Sequence, residues 1–138
     1  MRTEYVEAVI ALVELVPAGS VLAYGDVSEL LDSGGPRQVG AVMSHYGNPV
    51  PWWRILRASG KAPPGLEGKA LRHYLEERTP LRGDVEEYLK TGEGRWRVDI
   101  RAARWAPSEN DFDRIDDIAR RLASRLHELS VADDGMSG

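Results

Sequence analysis

Apolar residues near the start of the chain recur with the period of a helix. Val6, Val9, Ile10 and Val13 fall at i, i+3, i+4 and i+7, which predicts a helix over Thr3 to Leu15 with one apolar face and Thr3 as its N-cap. Pro17-Ala18-Gly19 stops that helix. Ser20 to Gly25 reads as a short extended lead-in to a short helix, Asp26 to Leu31, with Val27, Leu30 and Leu31 inward. Gly34-Gly35 supplies a tight turn, and Pro36 opens the next helix, where its missing N–H costs nothing. That helix reaches Tyr46, buries Val39, Val42 and Met43, and ends at Gly47-Asn48-Pro49. Two helices joined by a glycine-containing turn form a helix-turn-helix.

Farther on the pattern is mixed. Pro51 to Arg57 reads as strand or extended loop, and Ala58 to Gly68 as a Gly- and Pro-rich loop. Glu67 to Arg78 is predicted helical, with Ala70, Leu71, Tyr74 and Leu75 on its apolar side. Trp96, Val98 and Ile100 alternate with Arg95, Arg97 and Asp99, the pattern of a half-buried strand. A last helix is expected from Ser108 to about Leu129, with an apolar stripe of Phe112, Ile115, Ala119, Leu122, Leu126 and Leu129. That stripe offers a dimer contact, and 130–138 reads as a disordered tail.

Composition narrows the function classes. The chain of 138 residues suffices for one domain, and 42% hydrophobic with 29% charged residues is ordinary for a soluble protein. No apolar run approaches the roughly 18 residues that a membrane span needs. The apolar patch Ala8 to Val13 is flanked by Glu4, Glu7 and Glu14 with no cleavage site after it, so a signal peptide is not expected and a cytoplasmic, nucleoid-associated location is. There is no cysteine, which excludes disulfides, thiolate metal sites and a thiol nucleophile. His45, His73 and His127 are too dispersed for a metal motif, and no cofactor is called for. P-loop, GxGxxG, GxSxG and HExxH patterns are absent.

The net charge of −4 is unevenly spread. Acidic side chains dominate 1–35 and 107–138, whereas basic ones dominate 36–83. A basic middle between acidic ends fits a DNA-facing surface on an acidic protein, with a solvated mixed surface as the alternative.

Four short motifs decide between these. Val21-Leu22-Ala23-Tyr24-Gly25-Asp26-Val27 is similar to the Val-x-x-Tyr-Gly-x-(Ile/Val) opening of the O6-alkylguanine-DNA alkyltransferase DNA-binding domain. Arg37-Gln38-Val39-Gly40 resembles its Arg-x-Val-Gly, and Pro51-Trp52-Trp53-Arg54-Ile55 with Ser59-Gly60 resembles its Pro-Cys-His-Arg active-site block. Gly92-Glu93-Gly94 through Trp105-Ala106-Pro107 is similar to the end of alkyltransferase-like proteins, the non-catalytic branch in which tryptophan replaces the cysteine. Each motif is weak alone; their order and spacing over 3–107 are specific.

The resemblance implies a mainly α fold with a small β component. It would be a winged helix-turn-helix over 1–107 with an extra C-terminal helix at 108–129. It implies a non-enzymatic protein that enters the minor groove of double-stranded DNA and turns an alkylated guanine out of the stack. The bound lesion would be flagged for nucleotide excision repair proteins. The alternative is a winged-helix regulatory module without lesion specificity.

On this likeness the DNA-binding set is Tyr24, Arg37, Gln38, Gly40, Ala41 and Ser44, and the lesion-pocket set is Trp52, Trp53, Arg54, Ser59 and Lys61. Arg37 would fill the gap left by the extruded base, because a guanidinium stacks and donates at once, or else contact phosphate or stand solvated at a helix start. Tyr24 would press on a phosphate, or else be a core tyrosine. Gly40 and Ala41 would let α-helical backbone approach the groove, or serve close helix packing. Trp52 would wall a base pocket, or plug it. Trp53 stands where the family has a histidine, and Arg54 would order the pocket. The family's pocket arginine has no clear counterpart, with Lys61 and Lys69 the nearest cations.

Overall fold

The helix at the N-terminus forms where its apolar period places it. In the computed structural model, which describes residues 2–46 and 49–137, with side chains described to residue 131, α1 spans Thr3–Leu15. It buries Tyr5, Ala8, Val9, Leu12 and Val13, while Val6 and Ile10 are half-buried at the edge of the same core. The N-cap is Arg2 and no side chain caps the end, so Thr3 lies inside the helix and does not cap it.

Strand β1 is only Leu22–Ala23, and it runs directly into α2, Tyr24–Leu31. This helix starts two residues earlier than its apolar pattern suggests. The reason is local: the Asp26 carboxylate in the first turn accepts the Ala23 N–H at 2.8 Å, satisfying one donor left free at the helix start. Asp32 in the left-handed region ends α2. The turn that follows is tight enough that Gly34, at φ +70°, leaves no room for a Cβ against the Tyr5 hydroxyl, which donates to the Ser33 carbonyl at 3.2 Å. Helix α3, Pro36–Tyr46, then packs on α2 and buries Val39, Val42 and Met43 as expected. Gly47 and Asn48, expected to end it, lie outside the described residues.

The Pro-Trp-Trp-Arg stretch is neither strand nor plain loop. Trp52–Arg54 is a 3₁₀ turn, and only Ile55–Leu56 is extended, as β2. Strand β2 pairs in parallel with β1, Leu22 opposite Ile55 and Ala23 opposite Leu56. Helix α4, Glu67–Glu77, buries Ala70, Leu71 and Tyr74; Leu75, expected inward, is 45% exposed. Strand β3, Leu81–Gly83, and helix α5, Val85–Thr91, fill a region with no clear sequence pattern. Strand β4, Trp96–Val98, pairs antiparallel with β3, and Ile100 opens a single turn, α6, Ile100–Ala103, instead of extending the strand.

Helix α7 spans Glu109–Ser137. Ser108 starts it: its hydroxyl accepts the Asp111 N–H at 3.2 Å, and the Asp111 carboxylate accepts the Ser108 N–H at 2.9 Å. The helix passes the expected end at Leu129, so 130–137 is helical where a disordered tail was expected. Its stripe packs on α1 and α2, with Ile115 and Leu122 in the main core and Ile118 and Leu126 at its margin. Part of the face expected to offer a dimer contact is therefore packed inside the chain, while Phe112 at its start is 43% exposed. Arg125 ties the two helices further, 2.9 Å from Glu7. The architecture is mainly helical with two small two-stranded sheets. None of the described helices is long and apolar enough to cross a membrane.

Candidate nucleic-acid interface

The first turn of α2, the inner side of α3, the Trp52–Arg54 turn and α4 surround a cavity of about 750 Å³. That lies within the roughly 300–1,000 Å³ of ligand pockets. Tyr24, Gly40, Met43 and Ser44 form one side, Trp52 and Ile55 another, and Pro63, Pro64 and Leu66 a third. Lys69, Arg72 and His73 of α4 complete it. Trp52 is half-buried and lines this space instead of filling it.

Tyr24 and Gly40 depend on each other. A Cβ at Gly40 would stand 3.3 Å from Cε2 of Tyr24, so the missing side chain lets the Tyr24 ring lie against α3. Of the two expectations for Gly40, close packing is what the structure shows, and the residue also lines the cavity. Burial pushes the Tyr24 hydroxyl above its ordinary value, against the opposing charge of Arg57, so it is a hydrogen-bond donor at neutral pH.

Trp52 meets Trp53 edge-on at 5.7 Å and 87°, and His73 edge-on at 6.2 Å and 83°. Trp53 does not line the cavity. Its ring stacks on His73 at 3.5 Å and 3°, its indole N–H donates to Glu77 at 2.9 Å, and the Arg54 guanidinium lies 5.6 Å from its centroid. Its backbone carbonyl accepts the Tyr74 hydroxyl at 2.6 Å. Trp53 is thus a support behind His73, not a pocket wall.

Arg54 is likewise an anchor. Its Nε donates to both Glu77 oxygens at 3.2 Å, one terminal nitrogen reaches Glu77 at 2.6 Å, and the other donates to the Val16 carbonyl at 3.0 Å. Glu77 also accepts the Gly19 N–H at 3.1 Å. Burial works to raise the Glu77 carboxyl, but the hydrogen bonds from Arg54, Gly19 and Trp53, with the Arg54 charge, outweigh it and hold the group below its ordinary range. One carboxylate therefore fastens the tryptophan-bearing turn to α4 and to the end of α1.

Of the predicted positions, the structure brings Tyr24, Gly40, Ser44 and Trp52 together. Ala41 is half-buried on α3 outside the cavity wall, and Arg37 and Gln38 are exposed in the first turn of α3. Ser59 and Lys61 are not at the pocket. The Val98 N–H donates to the Gly60 carbonyl at 2.9 Å, which draws 59–61 toward β4. Ser59 lines a separate depression with Arg82, Arg97 and Asp99, and Lys61 is exposed. Sequence reasoning missed Met43, Ile55, the two prolines, Leu66, Arg72 and His73. The available signal was Lys69, Arg72 and His73 at i, i+3 and i+4, one side of α4, which reads as an ordinary solvated stripe.

No curated protein sequence matches the chain. Among solved structures, S. pombe Atl1 in complex with damaged DNA containing O6-carboxymethylguanine is similar, with a TM-score of 0.62 and 23% identity, covering 78% of this chain and 100% of that one. S. pombe ATL in complex with DNA gives a TM-score of 0.60 at the same identity and coverage. At that identity the likeness concerns the fold. Residues 4–78 match the DNA-binding domain of 6-O-methylguanine DNA methyltransferase, a span that holds α1 to α4 and the whole cavity. The chain belongs to that family of DNA-binding domains, as a member with no cysteine to receive an alkyl group.

Proposed function

We propose that this protein recognises O6-alkylguanine in duplex DNA and holds it without transferring the alkyl group. The observation that carries the reading is the open cavity beside α3, walled by Trp52 at the position where the family's motif has its cysteine. Dealkylation needs a thiolate in line with the alkyl carbon, and an indole N–H only donates. An indole face can instead stack on a purine, worth roughly 1–3 kcal/mol per base. The S. pombe Atl1 complex, whose DNA carries O6-carboxymethylguanine, supports the ligand class.

In this reading α3 enters the minor groove. Arg37, exposed at its start, fills the gap in the stack, and the Tyr24 hydroxyl donates to a backbone phosphate. The turned-out base rests on Trp52. Flipping costs a few kcal/mol, least for a poorly paired base, which favours the lesion over normal guanine. The held lesion is then a flag for nucleotide excision repair.

The test compares duplexes with guanine or O6-methylguanine at matched salt, since affinity for DNA depends steeply on salt. Lesion binding about tenfold tighter or more is expected, or roughly 1.4 kcal/mol. Equal binding overturns the proposal and leaves a winged-helix module without lesion specificity. Arg37→Ala weakens lesion binding; unchanged affinity refutes its role in the gap.

A further inference from the structure

Helix α4 presents Lys69 and Arg72 to the cavity one helical turn apart. Among the described residues no carboxylate lines the cavity, and neither cation has an ion-pair partner. The rest of the wall is apolar or neutral in character, from Trp52, Met43 and Pro64. A cavity with an aromatic wall and two uncompensated cations on one side is shaped for a flat ring carrying an anionic substituent.

We infer that the Lys69–Arg72 edge selects O6 adducts that end in a carboxylate over neutral adducts of the same size. This rests on the reading of the cavity as the lesion pocket, and it names the class of lesion. The same two cations could meet an anion from a second source, a DNA backbone phosphate, and the experiment separates the two.

Binding is measured at matched salt for four duplexes: guanine, O6-methylguanine, O6-carboxymethylguanine and its neutral amide, O6-carbamoylmethylguanine. The amide has nearly the same shape without the charge. Both cations are solvent-exposed, so each contributes as a surface ion pair does, and the carboxylate should bind about fivefold tighter than the amide. In the Lys69→Gln/Arg72→Gln double variant that ratio falls to one. Circular dichroism checks that the variant is folded, and both positions lie on the exposed side of α4. A wild-type ratio of one overturns the inference while a methylguanine preference leaves the pocket reading intact. A ratio that survives in the double variant, with every duplex weakened alike, assigns the cations to phosphate and also overturns it. Equal affinity for all four duplexes overturns both.

Discussion

Replacing Glu77 with alanine removes at one stroke the acceptor shared by Arg54, Trp53 and the Gly19 N–H. The Arg54 side chain, 18% exposed, would keep only the Val16 carbonyl as partner. Breaking a buried ion pair from one side costs about 3–5 kcal/mol, because a charge is left without compensation. Water reaches part of Arg54, which argues for the low end, about 3 kcal/mol. In a domain of this size that is a fall of roughly 10 °C in Tm. Urea unfolding followed by far-UV circular dichroism, with calorimetry, measures both. A loss below about 1 kcal/mol would equate the pair with an ordinary surface salt bridge and refute the reasoning. The pH dependence is an independent check. The Glu77 carboxyl is held below its ordinary 4.5, so its contribution is present above that value and is lost as pH falls through the folded-state value. The stability gap between wild type and Glu77→Gln therefore narrows below about pH 4; a gap constant down to pH 3 would show that the charge contributes nothing.

Two further outcomes test the scaffold. Gly60 has φ +80°, and a Cβ there would collide with the Val98 carbonyl oxygen, so Gly60→Ala should cost about 2–4 kcal/mol by urea unfolding. Gly65 has φ +84° with nothing within 4 Å, so Gly65→Ala carries only the backbone penalty of about 1 kcal/mol; equal losses would show that the close approach of Gly60 to β4 is unimportant. Ile115→Ala should cost about 3 kcal/mol in calorimetry, because this α7 residue is only 1% exposed in the main core. A loss within 0.5 kcal/mol, the ordinary range for surface positions, would make α7 an appendage.

Helices that carry their own start and stop signals were legible from the sequence alone. The bounds of α1, the start of α3 and its buried trio follow from apolar period, Pro36 and the Pro17-Ala18-Gly19 breaker, all local physics. The replacement of the family's cysteine by Trp52, and with it the loss of alkyl-transfer chemistry, is likewise a matter of residue identity. Strand β4 showed through the alternation around it, but β3 has none and α5 buries no residue, so those two left no pattern to read. Neighbouring tryptophans show the limit most clearly. Only the fold decided that Trp52 walls a cavity while Trp53 stacks on His73 and hydrogen-bonds Glu77, since those partners lie more than one element away in the chain. The cavity cations are decided the same way: whether Lys69 and Arg72 face solvent or a pocket depends on where α4 docks against the Trp52–Arg54 turn, and no local preference encodes that docking.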